Sequence, residues 1–567
     1  MAIRNVSLWR SIDWITIILY FILVACGWLS ICGASYDFGD TNFLSFSSNP
    51  GKQLVWAGCA IVLALVLLNI EKKYYEMLAY PVYFAFVILL AVTIFVAPDT
   101  KGSHSWLELG PVKIQPAEFS KFATALALAR LLSTYGFSMA KRSDVVKMIA
   151  VVMVPMLLIV LQNETGTALV YLSFFLVLYR EGMTGSLLAV GVCAVLYFVI
   201  GVGQSENFFA LMPVNVGEFI VFLLIPLFTA LMVAVYGKRA GRAWWIAGLN
   251  LGGTLVAWLF SRYVIPFDIC IVQLVLCVCT ALYLFGVYVV ERYASYLLIA
   301  LFALGSIGFY YSCNMLIDKL QPHQQMRILV LLGIKDDPSG VGYNINQSKI
   351  AIGSGGVWGK GFLNGTQTKL NYVPEQHTDF IFCTIGEEQG FMGCAFILLL
   401  YAVFIIRIIT LAERQGSNKF TRVYGYSLAS ILTFHLFVNV GMVIGLAPVI
   451  GIPLPFFSYG GSSLWGFTIL LSILLRLDAE LTHSVRASTN IYNVRAREIC
   501  GLTRCFYRVH SSYHSTFHTA SPGLGSGLLM LIPTSRMPVS TGWSICWVRM
   551  IVVGRVSQRV TLPMGRV

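Results

Sequence analysis

The chain has 567 residues, 57% of them hydrophobic and 11% charged, with a mean hydropathy of +0.76 and a formal net charge of +13. That is more apolar surface than a soluble globule can bury, which excludes a soluble enzyme or binding module and requires an integral membrane protein. The positive charge does not make nucleic acid a partner, because it is concentrated from Ser484 to Val567, where ten Arg stand with no Lys and Glu498 as the one acid.

Apolar segments of about 15 to 25 residues recur along the chain, each long enough to cross a hydrocarbon core of roughly 30 Å. The expected fold is an all-α polytopic membrane protein of about fourteen spans. They fall near 14–33, 53–70, 77–97, 116–134, 145–162, 166–180, 184–202, 216–236, 243–261, 267–290, 293–314, 380–406, 424–446 and 459–476. The first of these lacks a convincing cleavage site, so it reads as a span and not as an export signal. Basic residues cluster in alternate connections: Arg4 and Arg10, Lys72 and Lys73, Lys141 and Arg142, Arg180, Lys238 to Arg242, Arg292, then Arg414 to Arg422. Basic loops stay in the cytoplasm, which puts both ends of the helical core inside and the loops at 98–115 and 315–379 outside. The cysteines, such as Cys26, Cys59, Cys277 and Cys279, stand singly or in apolar helices and read as packing residues, with no disulfide framework or zinc site indicated.

Three constellations lie on or near the outer face. In the first, a loop through Trp106 leads to Gln115-Pro-Ala-Glu118 and Lys121. Pro116 suits a first helical turn, and Glu118 and Lys121 share a helix face, where they either neutralise each other between packed helices or line a polar cavity. Trp106 reads equally as an interfacial anchor. The second is the long outer loop, with Arg327, then Gly342 through Gln347 and Lys349 to Gly359-Lys360-Gly361, then Lys369. Its glycine amides and cations could cradle phosphate oxygens, or its glycines only make turns. It is no nucleotide P-loop, since Gly361 stands where Ser or Thr is required. That loop ends in Pro374-Glu-Gln-His377-Thr-Asp379, followed by Glu387 and Glu388 inside an apolar stretch. A carboxylate at the edge of hydrocarbon is costly to desolvate and marks ion, proton or substrate chemistry, which makes Asp379 the candidate catalytic group. In the third, Asn439 through Pro448 to Gly451-Ile-Pro-Leu-Pro455-Phe-Phe-Ser458 and Ser463 is rich in Pro and Gly. This suggests irregular backbone lining a cavity, with a simple interhelical turn as the competing account.

Taken together these blocks resemble the SEDS family (shape, elongation, division and sporulation proteins), membrane enzymes that polymerise lipid-linked peptidoglycan precursor. The likeness runs from about Trp14 to His483, and Gly365-Thr-Gln-Thr368 is more similar to the elongation branch, RodA, than to the division branch, FtsW. The resemblance implies that Asp379 is the essential carboxylate, acting as general base or holding a metal while an acceptor hydroxyl attacks the anomeric carbon of lipid II. It implies Trp106, Arg327, Gln347, Lys349, Lys360, Lys369, His377 and Ser458 as substrate-binding groups, with Glu118, Lys121, Glu387 and Glu388 shaping the cavity. A divalent cation, Mg2+ or Mn2+, is permitted by the clustered carboxylates, with no organic cofactor. Implied partners are lipid II, a class B penicillin-binding protein, elongation-complex proteins and the bilayer, without nucleic acid, in the bacterial cytoplasmic membrane. The alternatives are a division-type polymerase, a flippase for the lipid-linked precursor and an idle scaffold.

The chain departs from the family pattern in four places. Asn163-Glu164 stands where Pro-Asp is usual, Ser105 replaces an arginine common before the matching tryptophan, about four extra spans lie between 203 and 315, and the Arg-rich tail has no counterpart. The expected organisation is 1–202 for the N-terminal part of the core, 203–314 for about four inserted helices and their return, 315–379 for the large outer loop, 380–483 for the C-terminal part of the core, and 484–567 for an Arg-rich tail, disordered or non-native.

Overall fold

A computed structural model describes residues 11–36, 43–99, 102–110, 112–204, 214–319, 325–326, 329, 334, 341–370, 372–416, 418–481, 529–533 and 548–552. Caps and prolines in the sequence set where its helices start. Asp13 accepts from the Thr16 amide at 3.2 Å and opens α1 (Trp14–Ala34), and Ser48 opens α2 (Asn49–Asn69) with a proline in its first turn. Each cap supplies an acceptor for an amide that the helix itself leaves unpaired. α3 (Lys72–Val96) follows, then a short hairpin of β1 (Leu107–Leu109) and β2 (Val112–Ile114) that delivers the chain to Pro116. α4 (Pro116–Ser133) carries Ala117, Ala123, Ala125, Ala127 and Ala129 and is buried along most of its length, because small side chains let neighbouring helices approach closely.

α5 (Arg142–Leu161), the broken pair α6 (Thr165–Val170) and α7 (Phe174–Arg180), and α8 (Gly185–Gly203) lead into α9 (Val216–Tyr236), α10 (Gly241–Tyr263), α11 (Ile269–Glu291) and α12 (Ala294–Lys319). Then come α13 (Val341–Gly355), α14 (Ile381–Glu413), α15 (Lys419–Ile444) and a last helix, α16, over 461–481. Among the described residues ten helices are long and apolar enough to cross a membrane. The α6–α7 stretch and α8 are shorter apolar helices, and α4 and α16 pack with the former in the core. The protein is a multi-pass membrane protein, and its outward faces are apolar, with Ile18, Val62, Phe84, Ile88 and Phe95 all exposed.

The core around α1, α4, α14, α15 and α16 is laced by polar contacts. Arg407 pairs with Asp13, Arg414 with Asp478, and Tyr20 meets Thr468 at 3.1 Å. The long α14 is broken at Gly390, whose φ is 67° and ψ −163°. Residues 391–413 alone make about 34 Å of helix, enough to span the bilayer, which leaves 381–389 above the break near the interface. The chain divides into two compact units, Met1–Val485 and Arg486–Val567. In the second, β3 (Leu529–Pro533) pairs antiparallel with β4 (Val548–Val552).

Candidate active site

Asp379 lies in the turn that precedes α14, one residue before its cap Phe380, at the end of that helix opposite the basic loop of Arg414, Lys419 and Arg422, and is half-buried. Its surroundings are built from α15 and the irregular 446–460 segment. Asn439, fully buried on α15, donates from Nδ2 to the Asp379 carbonyl at 2.8 Å and to the Ile452 carbonyl at 2.7 Å. One amide thus holds the turn of Asp379 and the irregular segment together. Gly451, at φ +73°, lies against the carboxylate, and a Cβ there would sit 3.2 Å from Asp379 Oδ2. His377 is tied to the same segment, its carbonyl accepting from the Tyr459 amide at 2.9 Å and its ring lying 5.7 Å from that of Tyr459.

Ser458 is buried and its hydroxyl accepts from the Leu454 amide at 2.8 Å, so it shapes the turn beneath the site. Lys349 is exposed on α13 beside Gly445, whereas Gln347 on the same helix is half-buried. α13 is fixed to α15 by the Ser348 hydroxyl, which donates to the Val443 carbonyl at 2.6 Å. Lys369 lies over the Tyr36 ring at 4.6 Å. Trp106, half-buried, stands just before β1. Arg327 lies outside the described residues.

Lys360 and Glu387 have one another. The ammonium donates to Glu387 at 2.7 Å, and the carboxylate also accepts from the amides of Thr366, Gln367 and Thr368 at 2.7, 2.8 and 2.9 Å. Gly365-Thr-Gln-Thr368 therefore wraps a protein carboxylate. The glycine-rich run before it is likewise occupied: the Lys360 and Gly361 amides donate to the Glu387 and Glu388 carbonyls at 3.0 and 2.9 Å, and the Phe391 and Met392 amides return to the Gly356 and Val357 carbonyls at 2.9 and 3.1 Å. Backbone groups freed by the break at Gly390 are satisfied here, as the membrane interface demands. The Glu388 carboxylate accepts from the Leu363 amide at 3.1 Å and lies close against Gly33 of α1.

Deeper, Glu118 and Lys121 form a buried ion pair at 2.7 Å, as their spacing predicts. Lys121 also meets His435 Nε2 at 3.2 Å, and His435 Nδ1 lies 3.0 Å from the Pro453 carbonyl. A carbonyl only accepts, so Nδ1 carries the proton and the unprotonated Nε2 accepts a hydrogen bond from the ammonium. This relay props the irregular segment from below, and nothing in the motif pattern pointed to His435, which sits alone in an apolar helix. Ser105 donates to Glu164 at 2.9 Å, so two of the departures from the family pattern face one another. Among the described residues no three His, Cys, Asp or Glu side chains converge as metal ligands. With Glu387 committed to Lys360 and backbone amides, Asp379 does not fit an all-protein divalent site, and no step below is routed through a metal.

A family model described as cell cycle protein, covering FtsW, RodA and SpoVE, matches residues 13–213 and 217–483. The chain is 30% identical over 486 residues to the peptidoglycan glycosyltransferase RodA of Treponema pallidum (strain Nichols), spanning 85% of this chain and 100% of that protein. It is 30% identical over 418 residues to the peptidoglycan glycosyltransferase MrdB of Escherichia coli (strain K12), spanning 73% and 82%. The solved rod shape determining protein RodA of Thermus thermophilus shares 22% identity with a TM-score of 0.44 over 83% of this chain and 97% of that one.

Proposed function

The chain belongs to the cell cycle protein family of FtsW, RodA and SpoVE, and from that membership we propose a peptidoglycan glycosyltransferase that polymerises lipid II during cell elongation. The observation that carries the reading is the seat of Asp379: a half-buried residue at the non-basic end of α14, its backbone carbonyl clasped through Asn439 to an irregular segment that approaches the carboxylate at Gly451. Basic connections stay inside, so this end faces outward, both ends of the helical core are cytoplasmic, and the site meets precursor presented on the outer leaflet.

Asp379 takes the proton from the acceptor sugar hydroxyl as its oxygen attacks the anomeric carbon of the donor, and undecaprenyl pyrophosphate departs. Charge on the leaving group needs cations, and Lys349 and Lys369 are the better placed, since the charge of Lys360 is already balanced by Glu387. A class B penicillin-binding protein is the fitting partner, cross-linking the strands as they form. Support for polymerisation over transport comes from the buried charges: Glu118 and Lys121 neutralise each other, whereas a flippase needs polar groups continuous across the bilayer.

The test uses the full chain with its partner in liposomes containing labelled lipid II. Wild type should form glycan strands and Asp379→Ala should lose at least about a hundredfold, the scale of a general base. Equal strand formation by two equally folded proteins removes Asp379 from the chemistry, and precursor movement without strands supports the flippase.

A further inference from the structure

Helices α8 to α12 keep apolar cores of their own. Val221, Phe222, Ile225 and Tyr310 pack in one cluster and Val233, Ile246, Leu284 and Tyr296 in another, while the catalytic core closes separately around Phe404, Tyr424 and Phe467. Between the groups lies a cavity of about 790 Å³, walled by Val145 and Ile149 of α5 on one side and by Met232, Leu298 and Phe302 on the other. A mostly apolar chamber of that size is a ligand site by volume, and in a bilayer hydrocarbon fills it.

Its dimensions and polarity indicate which hydrocarbon. On α12 the lining runs from Ser295 to Phe309, about 21 Å along the axis, set against a membrane core of roughly 30 Å. A chain rooted at one interface fits that depth. Thr184, Ser186, Tyr236 and Ser295 gather at one end, where α8 and α12 begin and α9 stops. The Tyr197 hydroxyl, deeper in, makes no full hydrogen bond, with Ser306 and Cys193 as polar neighbours.

The polar end is also the basic end. Lys238 and Arg239 are exposed there, just past Tyr236, and Lys238 lies over the Tyr293 ring at 4.7 Å. Arg242 pairs with Glu291 at 2.5 Å yet keeps Nη1 buried without a hydrogen-bond partner. We propose that this seam binds an anionic diacyl phospholipid, one acyl chain in the cavity and the phosphate against the exposed Lys238 and Arg239, joining the α8–α12 group to the catalytic core. Basic pockets between membrane helices at the cytoplasmic face select anionic headgroups by charge, and apolar walls hold the tail.

Gly305 offers a clean test, because it lines the cavity and a Cβ added there meets nothing within 4 Å. Gly305→Leu should fill the chamber without crowding its own helix. The full chain, delipidated in detergent, is titrated with phosphatidylglycerol and with phosphatidylcholine of equal chain length and read by native mass spectrometry. Wild type should prefer phosphatidylglycerol. The double variant Lys238→Gln, Arg239→Gln should bind it about twenty-five-fold more weakly, with phosphatidylcholine unchanged. Gly305→Leu should lose both lipids while its thermal midpoint does not fall. Equal affinity of wild type for the two headgroups, or undiminished phosphatidylglycerol binding by Gly305→Leu, overturns the proposal. The surface charge variant decides the matter alone if the leucine variant does not fold.

Discussion

Ser105 and Glu164 are 59 residues apart in sequence and 2.9 Å apart in space. Each was visible in the chain as a separate departure from the family pattern, and neither shows the other, because no periodicity links two loops. Burial pushes the Glu164 carboxyl up, and hydrogen bonds from Ser105 and Ser103 offset this only in part, so it stays above the ordinary value of 4.5. A carboxyl raised on folding costs nothing while protonated and destabilises the fold as pH rises through its raised value. Glu164→Gln keeps the shape and the acceptor for Ser105 and removes the charge. Thermal unfolding in detergent should show the variant equal to wild type near pH 4 and more stable at pH 7 by up to about 1 kcal/mol. Parallel curves for the two proteins across that range remove the proposed charge cost. The same limit hid Asn439 as a clamp: a single amide in an apolar helix carries no motif, and only the fold shows that it reaches both Asp379 and Ile452.

The helical spans were legible because hydrocarbon thickness imposes a length on every one of them, and α14 illustrates both the reach of that rule and its end. An apolar run from 380 was plain in the sequence, but not the break at Gly390 that lifts Glu387 and Glu388 toward the interface. The glycines of 355–361 suggested either turns or a phosphate cradle. Their amides in fact serve the broken helix, and composition cannot say which backbone approaches a glycine. α13 was missed as a helix altogether, since its polar and glycine residues read as loop. Close approach gives a sharp prediction. A Cβ on Gly359, at φ +79°, would sit 2.1 Å from the Glu388 carbonyl oxygen, a distance no side-chain rotation relieves. Gly359→Ala should therefore cost more than about 3 kcal/mol and abolish strand synthesis along with stability. A variant that unfolds at the wild-type temperature in detergent contradicts the packing of this turn against α14.

At the scale of the whole molecule, what matters is which parts the seat of Asp379 leans on. Asp379, Asn439, Gly451 and the Glu118–Lys121–His435 relay all fall between α4 and the irregular 446–460 segment. The last helix, α16, is anchored to earlier parts of the core: Arg414 of the loop before α15 pairs with Asp478, Arg476 Nε donates to the Ile70 carbonyl at 2.8 Å, and Trp465 Nε1 to the Trp56 carbonyl at 3.0 Å. These contacts hold α16 from partners that precede it. Beyond it, the described residues are the hairpin of β3 and β4, and an isolated pair of strands is marginally stable at best. The Arg-rich composition fits attraction to anionic headgroups, which adds membrane affinity to a protein that already spans the bilayer many times. Deletion after His483 should consequently leave glycan synthesis from lipid II within about twofold of the full chain and the thermal midpoint unchanged. A truncated protein that expresses and folds normally yet makes no strands would place a working part of the enzyme in the tail.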